Sequence, residues 1–175
     1  REKVRVQIES QERGFFPVVL QGEKAPFDLT LCKGLFEAIT SIESEIGWVP
    51  PQLLDSVHLT IETLESGLSA TSDVVDLYKQ AAAHAKASGY QGLFVIADEF
   101  GKFLERAAGQ GDLPDLAAAQ YLAELASSEN EPSIIFMVLL HQSFRDYAST
   151  LSQTQRLEWN KIQGRFKQVD FSEDS

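Results

Sequence analysis

The sequence predicts an α/β protein in which a mostly parallel sheet is flanked by helices. The first observation is a pair of apolar runs, Gly92–Ala97 and Ser133–Leu140, each long enough for one buried strand. Parallel strands buried on both faces have such continuous apolar runs. The second observation is that helical patterns alternate with these runs, which favours a parallel sheet. The third is an apolar fraction of 43% over 175 residues, which is enough for the core of one domain.

Two further strands are predicted near the beginning of the chain. Residues Val4–Ile8 alternate apolar and polar side chains, as a half-exposed strand does. Phe15–Leu20 is the next strand, and Pro17 places it at a sheet edge or near the strand's own beginning. These two strands could pair as a hairpin or lie at two edges of the sheet.

A block of three helices is predicted between these strands and the apolar run at Gly92. Asp28 is a plausible N-cap of the first helix, whose apolar residues recur at helical spacing. Thr71 or Ser72 is a plausible cap of the third helix. The helices are expected to end near three glycines: Gly47, Gly67 and Gly89.

The run that starts at Gly92 ends in two adjacent carboxylates, Asp98 and Glu99. Because side chains alternate between the two faces of a strand, these acids should point in different directions at its carboxyl end. They can therefore take separate roles, one holding a metal ion while the other positions a water molecule. An ordinary exit from a strand into a loop is the simpler interpretation of the same pattern.

The second half of the chain repeats the alternation of helices and strands. A short helix over 102–108, a loop over 109–114 and a helix from Asp115 to about Ser127 are predicted before the second apolar run. That run also ends in polar residues, beginning with His141 and Gln142. A helix over 155–163 follows, and the residues from Ser172 onward are polar and expected to fray.

These features together resemble the AAA+ branch of the P-loop ATPases. The segment Gly92–Gly101 resembles the Walker B element, and the polar residues after the second run resemble sensor 1. Gln163–Phe166 resembles the segment with the arginine finger, although Gly164 stands where that segment has Ser. The likeness covers about Tyr90–Phe171. A looser likeness to the large ATP-binding proteins of bacterial phage defence, of the BREX type, rests on residues 98–105, 141–147 and 158–166.

The resemblance implies a P-loop NTPase-like three-layer fold that uses ATP and Mg²⁺. Asp98 would bind the Mg²⁺ that accompanies the nucleotide, and Glu99 would orient the attacking water. His141 and Gln142 would sense the γ-phosphate. Arg165 would act on a nucleotide held by the next subunit, so the resemblance also implies an oligomer.

The phosphate-binding loop of such ATPases is missing from the sequence. Gly101 and Lys102 are followed by Phe103 rather than Ser or Thr, and no glycine precedes Gly101 by five residues. We therefore expect the chain to be inactive alone and to be one domain of a larger ATPase, which supplies the loop and a helical lid. Within 1–175 we expect N-terminal strands over 1–25, a helical block over 26–89, the core from Walker B to the arginine finger over 90–171, and a tail over 172–175.

Composition limits the cellular setting and the partners. A net charge of −11 argues against these residues being the main grip on nucleic acid, which could still bind through other domains. The single cysteine, Cys32, cannot form an internal disulfide, and no apolar run is long enough to cross a membrane. We expect a cytoplasmic protein.

Two other functions remain open. A degenerate ATPase-like domain could serve only in assembly, because the missing loop removes the direct evidence for catalysis. A metal-dependent nuclease with strand-borne carboxylates is the rival enzyme. There, one residue separates the acid from the lysine, whereas two residues separate Glu99 from Lys102, which would place them on opposite faces if the strand continued.

Overall fold

The computed structural model describes residues 13–23, 25–46, 50–110, 116–128, 133–143, 146–147 and 153–169. The predicted strand Val4–Ile8 lies outside these residues. The described strands are β1 (Phe16–Leu20), β2 (Leu93–Ala97) and β3 (Ile134–Val138). The described helices are α1 (Phe27–Ile46), α2 (Pro51–Glu65), α3 (Thr71–Ala87), α4 (Gly101–Gln110), α5 (Ala117–Ala126) and α6 (Gln153–Gln163).

The three strands form one parallel sheet in the order β1-β2-β3. Phe16 of β1 pairs with Leu93 of β2, which in turn pairs with Ile134 of β3, so the strands begin at the same level. Pro17 is the second residue of β1, an outer strand of the described sheet, where a missing N–H donor does least harm. The predicted α/β class with a parallel, helix-flanked sheet is confirmed.

The two faces of the sheet differ in exposure. One face is buried, and its nine side chains belong to the core or pack against it: Phe16, Val18, Leu20, Leu93, Val95, Ala97, Ile134, Phe136 and Val138. Phe27 of α1 contacts Phe136 on this face, with ring centroids 6.5 Å apart, and Phe166 beyond α6 contacts the same ring at 5.4 Å. The helical layer therefore lies against this face.

The opposite face is apolar as well, but the structure leaves it partly uncovered. We call it the open sheet face; it consists of Pro17, Val19, Phe94, Ile96, Ile135 and Met137. Val19, Ile135 and Met137 are 55%, 42% and 43% exposed. The second helical layer of the expected three-layer arrangement thus does not cover this face in the described part of the chain.

Two of the predicted helix caps are wrong. Helix α1 begins at Phe27, so Asp28 lies in its first turn rather than before it. Helix α3 begins at Thr71, and the residue before it, Ala70, makes no side-chain cap. Asp28 and Thr71 instead contact each other: the Thr71 hydroxyl donates a hydrogen bond of 2.6 Å to the Asp28 carboxylate. The hydrogen bond joins α1 to α3 through two residues that are 43 positions apart in sequence.

Cys32 is fully buried among the helices that cover the sheet. Burial, with the nearby Asp28 and Asp73 carboxylates as smaller causes, raises the pKa of its thiol from 9.0 to about 12. The thiol therefore stays protonated at neutral pH. A protonated, inaccessible thiol is a poor nucleophile, so Cys32 packs in the core as a small apolar side chain.

This shift makes stability depend on alkaline pH. Between about pH 9 and 12 the unfolded chain loses the Cys32 proton while the folded chain keeps it, so rising pH favours unfolding. Within that window we expect the titration of Cys32 to lower the free energy of unfolding by up to about 1.4 kcal/mol per pH unit. Urea unfolding of wild type and Cys32→Ala at pH 8, 9 and 10 measures the difference in slope. Parallel slopes for the two proteins would contradict the assignment.

Candidate functional site

The carboxyl end of β2 is fixed to both neighbouring strands. Asp98 donates its backbone N–H to Leu20 of β1 at 2.9 Å. On the other side, Leu139 donates to Ala97 at 2.9 Å, and Phe100 donates to Leu139 at 3.0 Å. The chain therefore leaves the sheet at Asp98 and Glu99 from a defined position, at the edge where parallel sheets commonly bind ligands.

Glu99 has a backbone conformation that is rare for its residue type. Its φ is +50°, and it is the one non-glycine residue with positive φ in the described part of the chain. The Asp98 carboxylate supports this turn by accepting a 2.8 Å hydrogen bond from the Glu99 N–H. Such strain costs about 1–3 kcal/mol and concentrates at functional sites. Its occurrence at Glu99, next to Asp98, therefore favours this turn as a candidate functional site.

Two glycines allow neighbouring segments to approach this turn closely. A Cβ atom on Gly22, in the loop after β1, would lie 2.6 Å from the Glu99 carbonyl oxygen and 2.8 Å from the Glu99 Cβ. A Cβ atom on Gly101, at the start of α4, would collide with the Tyr147 ring. The turn is therefore enclosed by the loop after β1 and by the segment beyond β3.

Lys102 and His141 surround the Glu99 carboxylate. The Lys102 ammonium lies 2.5 Å from Glu99 Oε2 and donates a 3.2 Å hydrogen bond to the Gly22 carbonyl. His141 Nε2 lies 3.9 Å from Glu99 Oε1. The Glu99 side chain is 39% exposed, so the carboxylate can still be reached from solvent.

The predicted site residues separate into two groups. Asp98, Glu99 and His141 meet at the carboxyl ends of β2 and β3, and Gln142 is exposed next to His141. Arg165 instead pairs with another residue of the same chain. Its Nε lies 2.8 Å from Glu124 of α5, and its terminal nitrogens contact the Glu124 carboxylate and the Lys161 carbonyl. The arginine-finger role of Arg165 stays a prediction.

Sequence reasoning did not identify Lys102 and Gly22 as site residues. In the sequence, Lys102 stands out only because Phe103 follows it in place of the Ser or Thr of a phosphate-binding loop, and because two residues separate it from Glu99. The strand ends at Ala97 and α4 begins at Gly101, so Glu99 and Lys102 are on the same side of a helical turn. Their i,i+3 spacing, which suits a helix start, was the available signal.

The acids at this edge suit a metal ion that is coordinated partly by water or by a bound ligand. They suit an ion coordinated by protein side chains alone less well. No group of three or more His, Cys, Asp or Glu side chains with metal-binding geometry occurs among the described residues. Mg²⁺ commonly takes only one or two carboxylates and completes its shell with phosphates and water. The exposed Asp98 carboxylate fits that pattern.

Comparisons of the chain with protein-family models, with curated protein sequences and with solved structures found no match. None of the described helices combines the length and the apolar character needed to span a membrane.

Proposed function

We propose that these residues form part of the ATP-binding and hydrolysing domain of a larger bacterial ATPase of the AAA+ type. A segment outside them would supply the phosphate-binding loop. The observation that carries the proposal is the meeting of Asp98, Glu99 and His141 at the carboxyl ends of two adjacent parallel strands. In open α/β sheets, ligands bind at this edge.

Each residue has a distinct role in the proposed reaction. Asp98 would hold Mg²⁺, which neutralises phosphate charge when it is bound with ATP. Glu99 would orient a water molecule for in-line attack, and its exposed carboxylate is suited to accept a hydrogen bond from that water. To do so, Glu99 must exchange its contact with Lys102 for one with water. His141 and Gln142 would contact the γ-phosphate.

Arg165 would act on the nucleotide of a neighbouring subunit in an oligomer. Its ion pair with Glu124 would have to open for that role. Because the Arg165 side chain is already 30% exposed, breaking this ion pair to contact a neighbouring subunit does not move a residue out of the core. A role in phage defence would follow from the looser likeness of the sequence to BREX-type ATP-binding proteins.

Substitution of Asp98 tests the proposal in a polypeptide that joins these residues to their phosphate-binding loop. We expect Asp98→Ala to lower Mg²⁺-dependent ATP turnover by about 100-fold or more, because the ion loses its protein ligand. Asp76→Ala is the matched control, since Asp76 is an exposed acid on α3. Wild-type turnover in Asp98→Ala, or an equal loss in both variants, would contradict the proposal.

A second candidate is an ATPase-like domain that serves only in assembly. The partly exposed open sheet face favours this candidate, because such apolar surfaces commonly mark interaction sites. The two functions differ in a simple measurement. An assembly module would show no Mg²⁺-dependent binding of ATP even in the longest polypeptide that contains these residues, whereas the proposed ATPase domain would bind it.

A further inference from the structure

Lys102 connects α4 to the turn after β2 and to the loop after β1. Its ammonium lies 2.5 Å from Glu99 Oε2 and donates a 3.2 Å hydrogen bond to the Gly22 carbonyl. The Glu99 contact joins residues three apart, as ordinary ion pairs at the start of a helix do. The Gly22 contact spans 80 positions and holds the ammonium at the carboxyl ends of β1 and β2. The ammonium is therefore part of the candidate site.

The Glu99 carboxylate has a nitrogen group beside each of its oxygens. Lys102 contacts Oε2, and His141 Nε2 lies 3.9 Å from Oε1. A carboxylate that orients an attacking water needs an oxygen that can accept its hydrogen bond. In the proposed reaction the closer of the two groups, the Lys102 ammonium, must therefore move away from Glu99. A positive charge is then released beside the phosphates of the nucleotide.

The two possible partners of this ammonium differ in strength. The side chains of Lys102 and Glu99 are 45% and 39% exposed, and ion pairs exposed to this degree add little to stability. A phosphate group carries more negative charge than a carboxylate and offers three strong acceptor oxygens. Hydrogen bonds between an ammonium and a phosphate are also among the stronger ones in proteins. The ammonium should therefore leave Glu99 for a phosphate that comes within reach.

The γ-phosphate of ATP comes within reach of Lys102 in the proposed reaction. A water that Glu99 orients lies within about 3.2 Å of its carboxylate, and reacting atoms stand about 3–3.5 Å apart before attack, so the γ-phosphorus is within about 7 Å of that carboxylate. Lys102 already contacts the same carboxylate, and its flexible four-carbon stem can cover the difference while α4 stays in place. ADP has no phosphoryl group at this position.

We propose that Lys102 is a specificity-determining residue that binds the γ-phosphate of ATP and thereby releases Glu99 to orient the attacking water. This inference rests on the proposed function, and it adds a protein ligand for the terminal phosphate. Lys102 distinguishes a nucleoside triphosphate from a diphosphate. When ADP is bound, the ammonium stays with Glu99 and Gly22.

Nucleotide affinities of Lys102 variants test the proposal, in a polypeptide that contains these residues and binds Mg²⁺–ATP. Isothermal titration calorimetry compares two probes, the Mg²⁺ complexes of ADP and of β,γ-methylene-ATP, a triphosphate that is not hydrolysed between its last two phosphorus atoms. We expect Lys102→Met to weaken binding of the triphosphate at least about tenfold and binding of ADP less than about threefold. Lys102→Arg keeps a phosphate-binding cation and should bind the triphosphate within about threefold of wild type.

Lys33→Met is the matched control. Lys33 is on α1 and forms a 2.8 Å ion pair with Glu65, and these two side chains are 48% and 50% exposed, much like Lys102 and Glu99. The control variant also loses one positive charge and one exposed ion pair, and it should keep both affinities within about threefold of wild type. Lys102→Gln replaces Lys102→Met if Lys102→Met lowers the thermal unfolding temperature.

Equal changes of the two affinities in Lys102→Met, or no change in either, would overturn the proposal. An equal loss of triphosphate binding in Lys33→Met would also overturn it. Asp98→Ala separates this failure from that of the proposed function. Wild-type turnover in Asp98→Ala refutes the ATPase itself, whereas lost turnover in Asp98→Ala together with unchanged affinities in Lys102→Met refutes only the role of Lys102.

Discussion

Replacing Glu99 with Gln is expected to lower ATP turnover by about 100-fold or more while changing Mg²⁺–ATP binding by less than about threefold. The measurement uses a polypeptide that contains these residues and hydrolyses ATP. Glutamine keeps the size of the side chain, and its amide oxygen can still accept a hydrogen bond from Lys102. It loses the charged carboxylate that would orient and polarise the attacking water. The loss should therefore appear in kcat rather than in binding.

The Glu99 prediction has a control close to the site. Glu105 is an exposed acid on α4, and Glu105→Gln should keep turnover near the wild-type level. Undiminished turnover in Glu99→Gln would remove the proposed role of Glu99. A large loss of nucleotide binding, with turnover of the bound ATP unchanged, would make Glu99 a binding residue instead.

Replacing Gly92 with Ala is expected to cause the largest loss of stability, about 3 kcal/mol or more. Gly92 precedes β2 with a φ of +150°, a conformation that residues with side chains rarely adopt. An added Cβ would also collide with the backbone of Ser133, whose carbonyl accepts the hydrogen bond that begins the pairing of β2 with β3. Both effects act where the central strand enters the sheet. A domain with a typical stability of about 5–15 kcal/mol would lose a large share of it.

Variants at two other glycines distinguish the rare backbone conformation from the steric collision as the cause of this loss. Gly14→Ala should be nearly neutral, because nothing lies within 4 Å of the added Cβ. Gly67→Ala should cost about 1 kcal/mol, since its φ of +84° is strained but its surroundings are open. Urea unfolding of the three variants gives the free energies. A Gly92→Ala protein as stable as Gly14→Ala would show that the described approach of β2 to Ser133 is wrong.

The sequence was sufficient to predict the strands and the alternation of helices with them. The run from Leu93 to Ala97 is apolar at every position and ends at two carboxylates, so both the buried strand and its exit could be recognised locally. Helix α1 has apolar residues at regular helical spacing and was predicted for the same reason. Local pattern determines these features, and local pattern is visible in one sequence.

Contacts between distant residues could not be predicted in the same way. The Asp28–Thr71 hydrogen bond joins residues 43 positions apart, and Arg165 pairs with Glu124 across 41 positions. A helix cap and an Asp buried against a neighbouring helix have the same sequence signal, so Asp28 was assigned to the wrong role. The contact of Lys102 with Gly22 spans 80 positions and depends on where β1 ends.

The backbone of Glu99 is the clearest example of a feature that cannot be predicted from the sequence alone. Nothing in the residue type indicates a positive φ, because glutamate rarely adopts it. The turn depends on the close approach of Gly22 and on the hydrogen bond to Asp98, both of which exist only in the folded chain. The proposed catalytic acid is thus positioned by tertiary packing, which a strand-and-loop pattern does not contain.

We propose that a metal-bound nucleotide docks beside Asp98 and Glu99. The most direct test is paramagnetic broadening of backbone amide resonances by Mn²⁺–ADP, in a polypeptide that contains these residues and binds the nucleotide. We expect the amides of Asp98, Glu99 and His141 to broaden at lower Mn²⁺–ADP concentration than those of Glu124 and Arg165. Broadening centred elsewhere in the chain, with the resonance of Asp98 unaffected, would contradict it.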